Sequence, residues 1–496
     1  MKKFLCAVLA AVLCLGLCGC DSAGTISTYT MALERMPANL DPQVATGDEE
    51  MLVITNTFDG LFEYRGGKIS KNLCSDYTVS PDGLSYTFIL REDSSFYVNK
   101  NEQIPVTAKD FVFAFERILD PKTKSPYYND FANIAQVTAE KDNVLLIKLK
   151  EPDSNFISKL CMSCAVPCNR EFFENTKGAY GLTVKNILSN GPYTVNYLAD
   201  DGSYATLIRV KSSQGGIDRI RISLIGDDTT AESLYNSDSI SGYFADSNAD
   251  GISCADSTFN MYFNPETPLL QSKYIRGALA YFCYGMENSG ANLSAINQNY
   301  SLFSDAITFG EVSLNSQINL ARPSYMNTEN PKDLLSQGME SLGIVKTGSL
   351  KVLIPNDVKY SVIIENINQL WQKKLGVFFT LEFLPSAEIE QRIAKGNFDI
   401  AFYSYKAISN NAENILSLYS PYDENVALHI DMINAGHLST SEKLSAIEIA
   451  HNDIVENAFV VPMCTDSAKY VHKSFFTDVE INPFGNIVNL KYAKVK

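Results

Sequence analysis

One dense group of reactive side chains in this sequence lies in Leu160–Asn169, which reads LCMSCAVPCN. Cys161, Cys164 and Cys168 form a C-x2-C-x3-C run. Thiolates at that spacing are the chemistry of a zinc site or an iron–sulfur cluster. A plainer reading competes with it: free cysteine is a small hydrophobe that is often buried, and the run can simply pack. Histidine lends a metal no support. Only His429, His437, His451 and His472 occur, with no pair at i, i+4 spacing and no H-E-x-x-H pattern. No Ser/His/Asp order and no phosphate-cradling glycine loop suggests an enzyme. The adjacent acids Glu49 and Glu50 read as an exposed helix start. These patterns call for no catalytic residue and no cofactor.

The N-terminus addresses the compartment. Lys2 and Lys3 precede the apolar run FLCAVLAAVLCLGL, 14 residues long, and then Cys18-Gly19-Cys20. This is a secretory signal pattern, shorter than the ~20 residues that span a bilayer. LCGC at Leu17–Cys20 resembles the lipobox of bacterial lipoproteins, although Cys18 stands where Ala, Ser or Thr is usual. The resemblance implies a signal peptide at residues 1–19, cleavage before Cys20 and lipidation of its thiol. The protein is then held on the outer face of the bacterial cytoplasmic membrane.

The chain beyond Cys20 is too long for one core and suggests two or three domains. Hydrophobic content is 45% and charged content 20%, as in a globular chain. The net charge of −16 is spread along the sequence, which argues against nucleic acid as a partner. Seven cysteines lie after Cys20: Cys74, Cys161, Cys164, Cys168, Cys254, Cys283 and Cys464. An odd, scattered set does not describe a disulfide framework.

The elements that must position any site read as a mixed α/β chain. Residues 27–42 give a strand and a turn, and 49–64 a helix. SPDGLSYTFILRED turns at Asp82-Gly83 into a strand. TAKDFVFAFERILDP is a helix with Thr107 as N-cap, Asp110 in the capping-box position and Pro121 as its stop. Residues 190–210 are a hairpin turning at Asp201-Gly202. Further on, 349–357 is a strand, 360–385 a helix stopped at Gly376 and then a strand, and 386–407 a helix and a buried strand. That alternation suggests an α/β lobe.

Several of these blocks, in this order, resemble the family 5 extracellular solute-binding proteins, the receptors of peptide-importing ABC transporters. NLDP (Asn39–Pro42), FDGLFEY (Phe58–Tyr64), SPDGLSYTFILRED and SNGPYTV (Ser189–Val195) carry the likeness. TAKDFVFAFERILDPKTKSPYYNDF (Thr107–Phe131) is its most specific block. The likeness is strong to about Val195 and patchy beyond. It is weakest over 301–348 and 421–438.

The resemblance implies an α/β, two-lobed periplasmic-binding-protein-like (type II) fold with an extra domain inserted in the first lobe. Residues 20–47, 188–258 and 475–496 form that lobe, 48–187 the insertion and 259–474 the second lobe. The lobes enclose a ligand by closing on a hinge. Ligand contacts are implied for Glu34, Arg35, Met36 and Pro37, for Tyr127, and for Phe402, Ser404, Tyr405, Lys406 and Ile408. Main-chain groups of Ser404 and Lys406 would pair with an extended ligand. The cysteine run falls at packed core positions of the family, so no metal is expected there.

One departure bears on specificity. The family holds a peptide's α-amine with an Asp in a W-x-A-D-Y-x-x-P segment. Here Tyr405 stands for the Trp, Ala407 keeps the Ala and Ile408 replaces the Asp, while Phe402 replaces an upstream Arg. An ammonium enclosed without a carboxylate does not recover its desolvation, so ordinary free peptides are expected to bind weakly unless Glu413 or Asp399 substitutes. Trp371, the only Trp, reads as core.

The expected function is a lipid-anchored, monomeric receptor that delivers a peptide or related small solute to ABC permease subunits. The alternative is a divergent surface protein of the same fold with a signalling or scaffold role and no transport function. The anchor can be tested directly. Cys20→Ala is expected to release the protein from the membrane fraction of cells, and undiminished membrane association would refute lipidation there.

Overall fold

Thr28–Leu33 alternates half-buried and buried side chains, with Tyr29 and Met31 pointing into a core, as period-2 patterning requires. It is the central strand of a seven-stranded sheet. In spatial order the strands are Tyr193–Leu198, Tyr204–Arg209, Arg219–Leu224, Thr28–Leu33, Gly242–Asp246, Ala468–His472 and Ile252–Ser253. This computed structural model describes residues 27–496 apart from positions 34, 154, 212, 226–227, 247–248, 256, 285–300, 311, 357, 408, 435–437, 467 and 486. The expectations for Cys20, Glu34 and Ile408 therefore fall outside the described residues.

A second sheet has five strands in the order Phe378–Leu384, Ser349–Pro355, Ile400–Tyr405, Ser257–Phe263 and Val460–Asp466. Every residue of Ser257–Phe263 is buried, because helices cover both faces of the sheet. On one face Phe259, Met261 and Phe402 pack with the helices Lys273–Tyr284 and Val358–Leu370. Trp371 belongs to this core, and its Nε1 donates to the Leu279 carbonyl at 2.9 Å. On the other face Tyr262 and Ala401 pack with Glu424–Asn434 and Thr440–Glu456. The second of these helices carries a Ser439/Glu442 capping box.

A four-stranded antiparallel sheet, ordered Cys74–Val79, Ser85–Leu90, Val144–Leu149 and Ile134–Lys141, has a core of its own. Its helix is Ala108–Leu119, where the Asp110 carboxylate accepts the Thr107 N–H at 2.8 Å. Phe111, Phe115 and Ile118 supply the buried face.

The chain passes from the seven-stranded to the five-stranded sheet between Ser253 and Ser257 and returns between Asp466 and Ala468. The passages lie side by side. Ser253 pairs with Lys469 on one side, Ser257 with Asp466 on the other, and the Cys254 N–H donates to the Ala468 carbonyl at 3.0 Å between them.

Two buried ionic contacts tie the first lobe together. Arg117 donates to both carboxylate oxygens of Asp41, at 3.0 and 2.5 Å, and to Gln43 Oε1. Lys491 donates to Asp59 at 2.8 Å and to the Phe58 carbonyl at 2.6 Å. Burial would raise the Asp59 pKa, but Lys491 and Lys211 hold it below the usual carboxylate range.

The cysteine run belongs to this packing. Gln43 Nε2 donates to the carbonyls of Cys164 and Val166, at 3.0 and 3.3 Å. Cys164 sits in the core of the four-stranded unit, while Cys168 packs with Phe113 and Tyr180 beside Arg117. Burial pushes the Cys168 thiol up to about 12 against the pull of Arg117. No group of three or more His, Cys, Asp or Glu residues is placed to hold a metal among the described residues. Glu49 and Glu50 do begin a helix, Asp48–Thr57, but they are not exposed as the sequence suggested: Arg35 folds over both, at 2.6 and 3.2 Å.

Arg117 is the contact to challenge. Arg117→Met leaves the Asp41 carboxylate buried without its cation, which costs ~3–5 kcal/mol. The chemical-denaturation midpoint should fall accordingly, and a loss under ~1 kcal/mol would show that Asp41 finds another partner.

Candidate functional site

The helix Asp48–Thr57 points its acidic first turn at the gap between the two large sheets, and the gap holds a cavity of about 510 Å³. Arg35, Asp48 and Glu50 line it from the first lobe, Tyr127 from the four-stranded unit, and Glu390 and Ser409 from the five-stranded lobe. A smaller cavity of about 290 Å³ adjoins it. Its walls include Met31, Leu33, Leu52, Tyr243 and Phe244, with Glu49 and Lys406. Asp48, Gly485 and Ile487 belong to both walls.

Contacts across the gap hold the lobes together. Lys406 Nζ meets Asp48 Oδ2 at 2.7 Å. Both side chains are about half exposed, at 44% and 50%, so the bridge is worth ~1 kcal/mol or less. Asp130 is more enclosed. Its carboxylate accepts from Asn414 Nδ2 at 2.8 Å and Ser409 Oγ at 3.5 Å, and burial raises its pKa although these donors oppose the shift. The Gly485 N–H donates to the Ala407 carbonyl at 3.0 Å. At the cavity mouth, burial works against the Arg35 charge, but Glu49 and Glu50 outweigh it and raise its pKa.

The site residues expected from the sequence divide. Arg35, Tyr127 and Lys406 reach the cavities. Tyr127 is buried, with its hydroxyl on the Ala45 carbonyl. Met36 and Pro37 are half-buried and line neither cavity; Met36 packs against the first-lobe core. Phe402 is fully buried in the second-lobe core, near Phe259 and Trp371, and does not reach the gap. Ser404 and Tyr405 are half-buried and line neither cavity through their side chains. Their backbone is placed differently. Ile400–Tyr405 pairs with Ser349–Pro355 only at Ile400 and Ala401, so this edge is released beyond Ala401.

Two acids proposed as substitutes are engaged elsewhere. Glu413 pairs with Lys443 at 2.8 Å. Asp399 accepts from Thr267 Oγ1 and from the Lys351 N–H, each at 2.8 Å. The residues that sequence reasoning missed are Asp130, Glu390 and Phe484. Glu390 comes directly after the buried Ile389 on the helix Ser386–Ala394. Helical periodicity marks it as polar-face but cannot say that this face looks into a cleft.

This arrangement can enclose a small solute; the described residues around it form no acid–base or nucleophile pattern. The structure superposes on peptide-bound OppA of Listeria monocytogenes with a TM-score of 0.81 at 18% identity, covering 95% of this chain and all of that one. Against the unliganded open form of the murein tripeptide-binding protein MppA, the TM-score is 0.60 at 18% identity, over 95% of this chain and 98% of that one. In sequence, the oligopeptide-binding protein AliB of Streptococcus pneumoniae is 29% identical over 214 residues, which are 38% of this chain and 32% of AliB. The matched segment thus spans about a third of that relative's length. The family model of the bacterial extracellular solute-binding proteins, family 5 Middle, matches residues 68–425. With that match running from the strand Lys68–Lys71 to the helices of the second lobe, the chain belongs to the bacterial extracellular solute-binding proteins of family 5.

Proposed function

We propose that this chain is an extracytoplasmic receptor that encloses a peptide or related small solute between its lobes and hands it to ABC permease subunits. The observation that carries the reading is the cavity of about 510 Å³ lined from both lobes, whose two sheets are joined by two chain passages among the described residues. Its size is in the usual range for small-ligand sites. The names of relatives such as AliB, and the peptide in the Listeria structure, support a peptide as the solute.

The four-stranded unit is the inserted domain of this reading, within 48–187. The lobe boundaries fall at the two passages rather than at 258 and 474: residues 20–47, 188–253 and 468–496 belong to the first lobe, with the helix Asp48–Thr57 packed on its core, and 257–466 to the second. Side chains of Arg35, Tyr127 and Lys406 contact the solute. The released edge from Phe402 onward offers main-chain groups of Ser404 and Lys406 to an extended ligand, a mode that gives affinity without reading side chains. The lipid anchor at Cys20 keeps a monomeric receptor near its permease on the outer face of the membrane. No helix among the described residues is long and apolar enough to cross a membrane.

Native mass spectrometry of the protein, purified from its own cells under mild conditions, tests this reading. It should carry a co-purified solute of peptide mass that exchanges with an added peptide pool. A protein that carries nothing and takes up nothing from the pool would contradict the receptor function.

A further inference from the structure

The charged groups around the larger cavity are unevenly matched. Arg35 is taken by Glu49 and Glu50, and Glu50 also accepts the Ala38 N–H at 2.7 Å. Asp48 is taken by Lys406. Next to Glu390 on the same helix, Glu388 pairs with Arg392 at 2.7 Å. Glu390 lines the cavity, yet among the described residues no lysine, arginine or histidine forms an ion pair with it. Its polar neighbour is Tyr403, which acts to lower the Glu390 pKa. Of the nearby charges, Asp48 raises its pKa and Lys406 and Arg35 lower it.

We propose that Glu390, beside Tyr403 at the cavity wall, is the carboxylate that receives a positively charged group of the bound solute. This rests on the reading of the cavity as a solute site. A cation that leaves water for an enclosed cleft needs a carboxylate to recover its hydration. Glu390 faces the cavity with no ion-pair partner among the described residues, and Glu413 and Asp399 are committed elsewhere. Glu390 is solvent-exposed at the cavity wall, and partial burial there, with Asp48 and against Tyr403, Lys406 and Arg35, raises its pKa, so an arriving cation would favour its charged form. The weak binding of free peptides expected from Ile408 holds only if the cleft has no other acid, and Glu390 supplies one. The cation is an ammonium or guanidinium, from either a peptide's α-amine or a basic side chain.

Calorimetry separates these sources with three probes: tetra-alanine, N-acetyl-tetra-alanine, and N-acetyl-Ala-Lys-Ala-Ala. At least one cationic probe should bind tenfold or more tightly than the neutral one, a difference of about 1.4 kcal/mol. Glu390→Gln should erase that preference while the neutral probe binds as before. Tyr403→Phe should reduce it in the same direction without affecting the neutral probe. If tetra-alanine alone is preferred, the α-amine sits at Glu390; if only the lysine peptide is, a side chain does. Equal binding of all three probes, a preference that survives Glu390→Gln, or a uniform loss in both variants would overturn the role of Glu390 and leave the receptor reading standing. Failure of every probe to bind the unaltered protein would overturn both.

Discussion

The rest of the structure depends on how the two large sheets are joined. Two passages of chain run side by side, with Ser253 opposite Lys469 and Ser257 opposite Asp466. Paired in this way, they form a narrow ribbon, the geometry on which a hinge closure of two rigid bodies depends. Each lobe must therefore be rigid on its own. The Arg117–Asp41 and Lys491–Asp59 contacts give the first lobe that rigidity, since a buried pair is costly to break even where it contributes little net stability.

Contacts across the gap have a different character. Lys406–Asp48 is half exposed and weak, and Asp130 meets neutral donors of Asn414 and Ser409 rather than a cation. Closure held by contacts of this kind is reversible. A solute adds its own contacts to the closed form alone and so shifts the balance toward it by mass action. The proposed receptor action needs no more than this: a cleft that closes on its ligand and yields it when the lobes part.

Much of the fold was legible in the sequence because it is set by local rules. The Thr107/Asp110 box, the Asp82-Gly83 turn and the Gly376 stop each come from backbone chemistry that a few residues dictate. Trp371 was legible as core for the same reason. Thr440–Glu456 carries a local signal of the same kind, Ser439 and Glu442 forming the S-x-x-E start of a helix. The site was less legible, because a cleft is made by surfaces far apart in sequence. Phe402 looks like a ligand contact on a strand, yet the sheet turns it into the core. Glu49 and Glu50 look solvated until Arg35 folds over them. Glu390 carries no local sign of its position, and only the approach of the lobes gives it one.

The central claim is that the lobes close around a solute. Single-molecule energy transfer between dyes on the two lobes, one on the exposed Tyr197 strand and one on the exposed face of Val358–Leu370, tests it most directly. Protein stripped of bound solute by unfolding and refolding should exchange between open and closed distances, and an added peptide pool should collect it in the closed state. A single distance, unchanged by any peptide, would contradict the account.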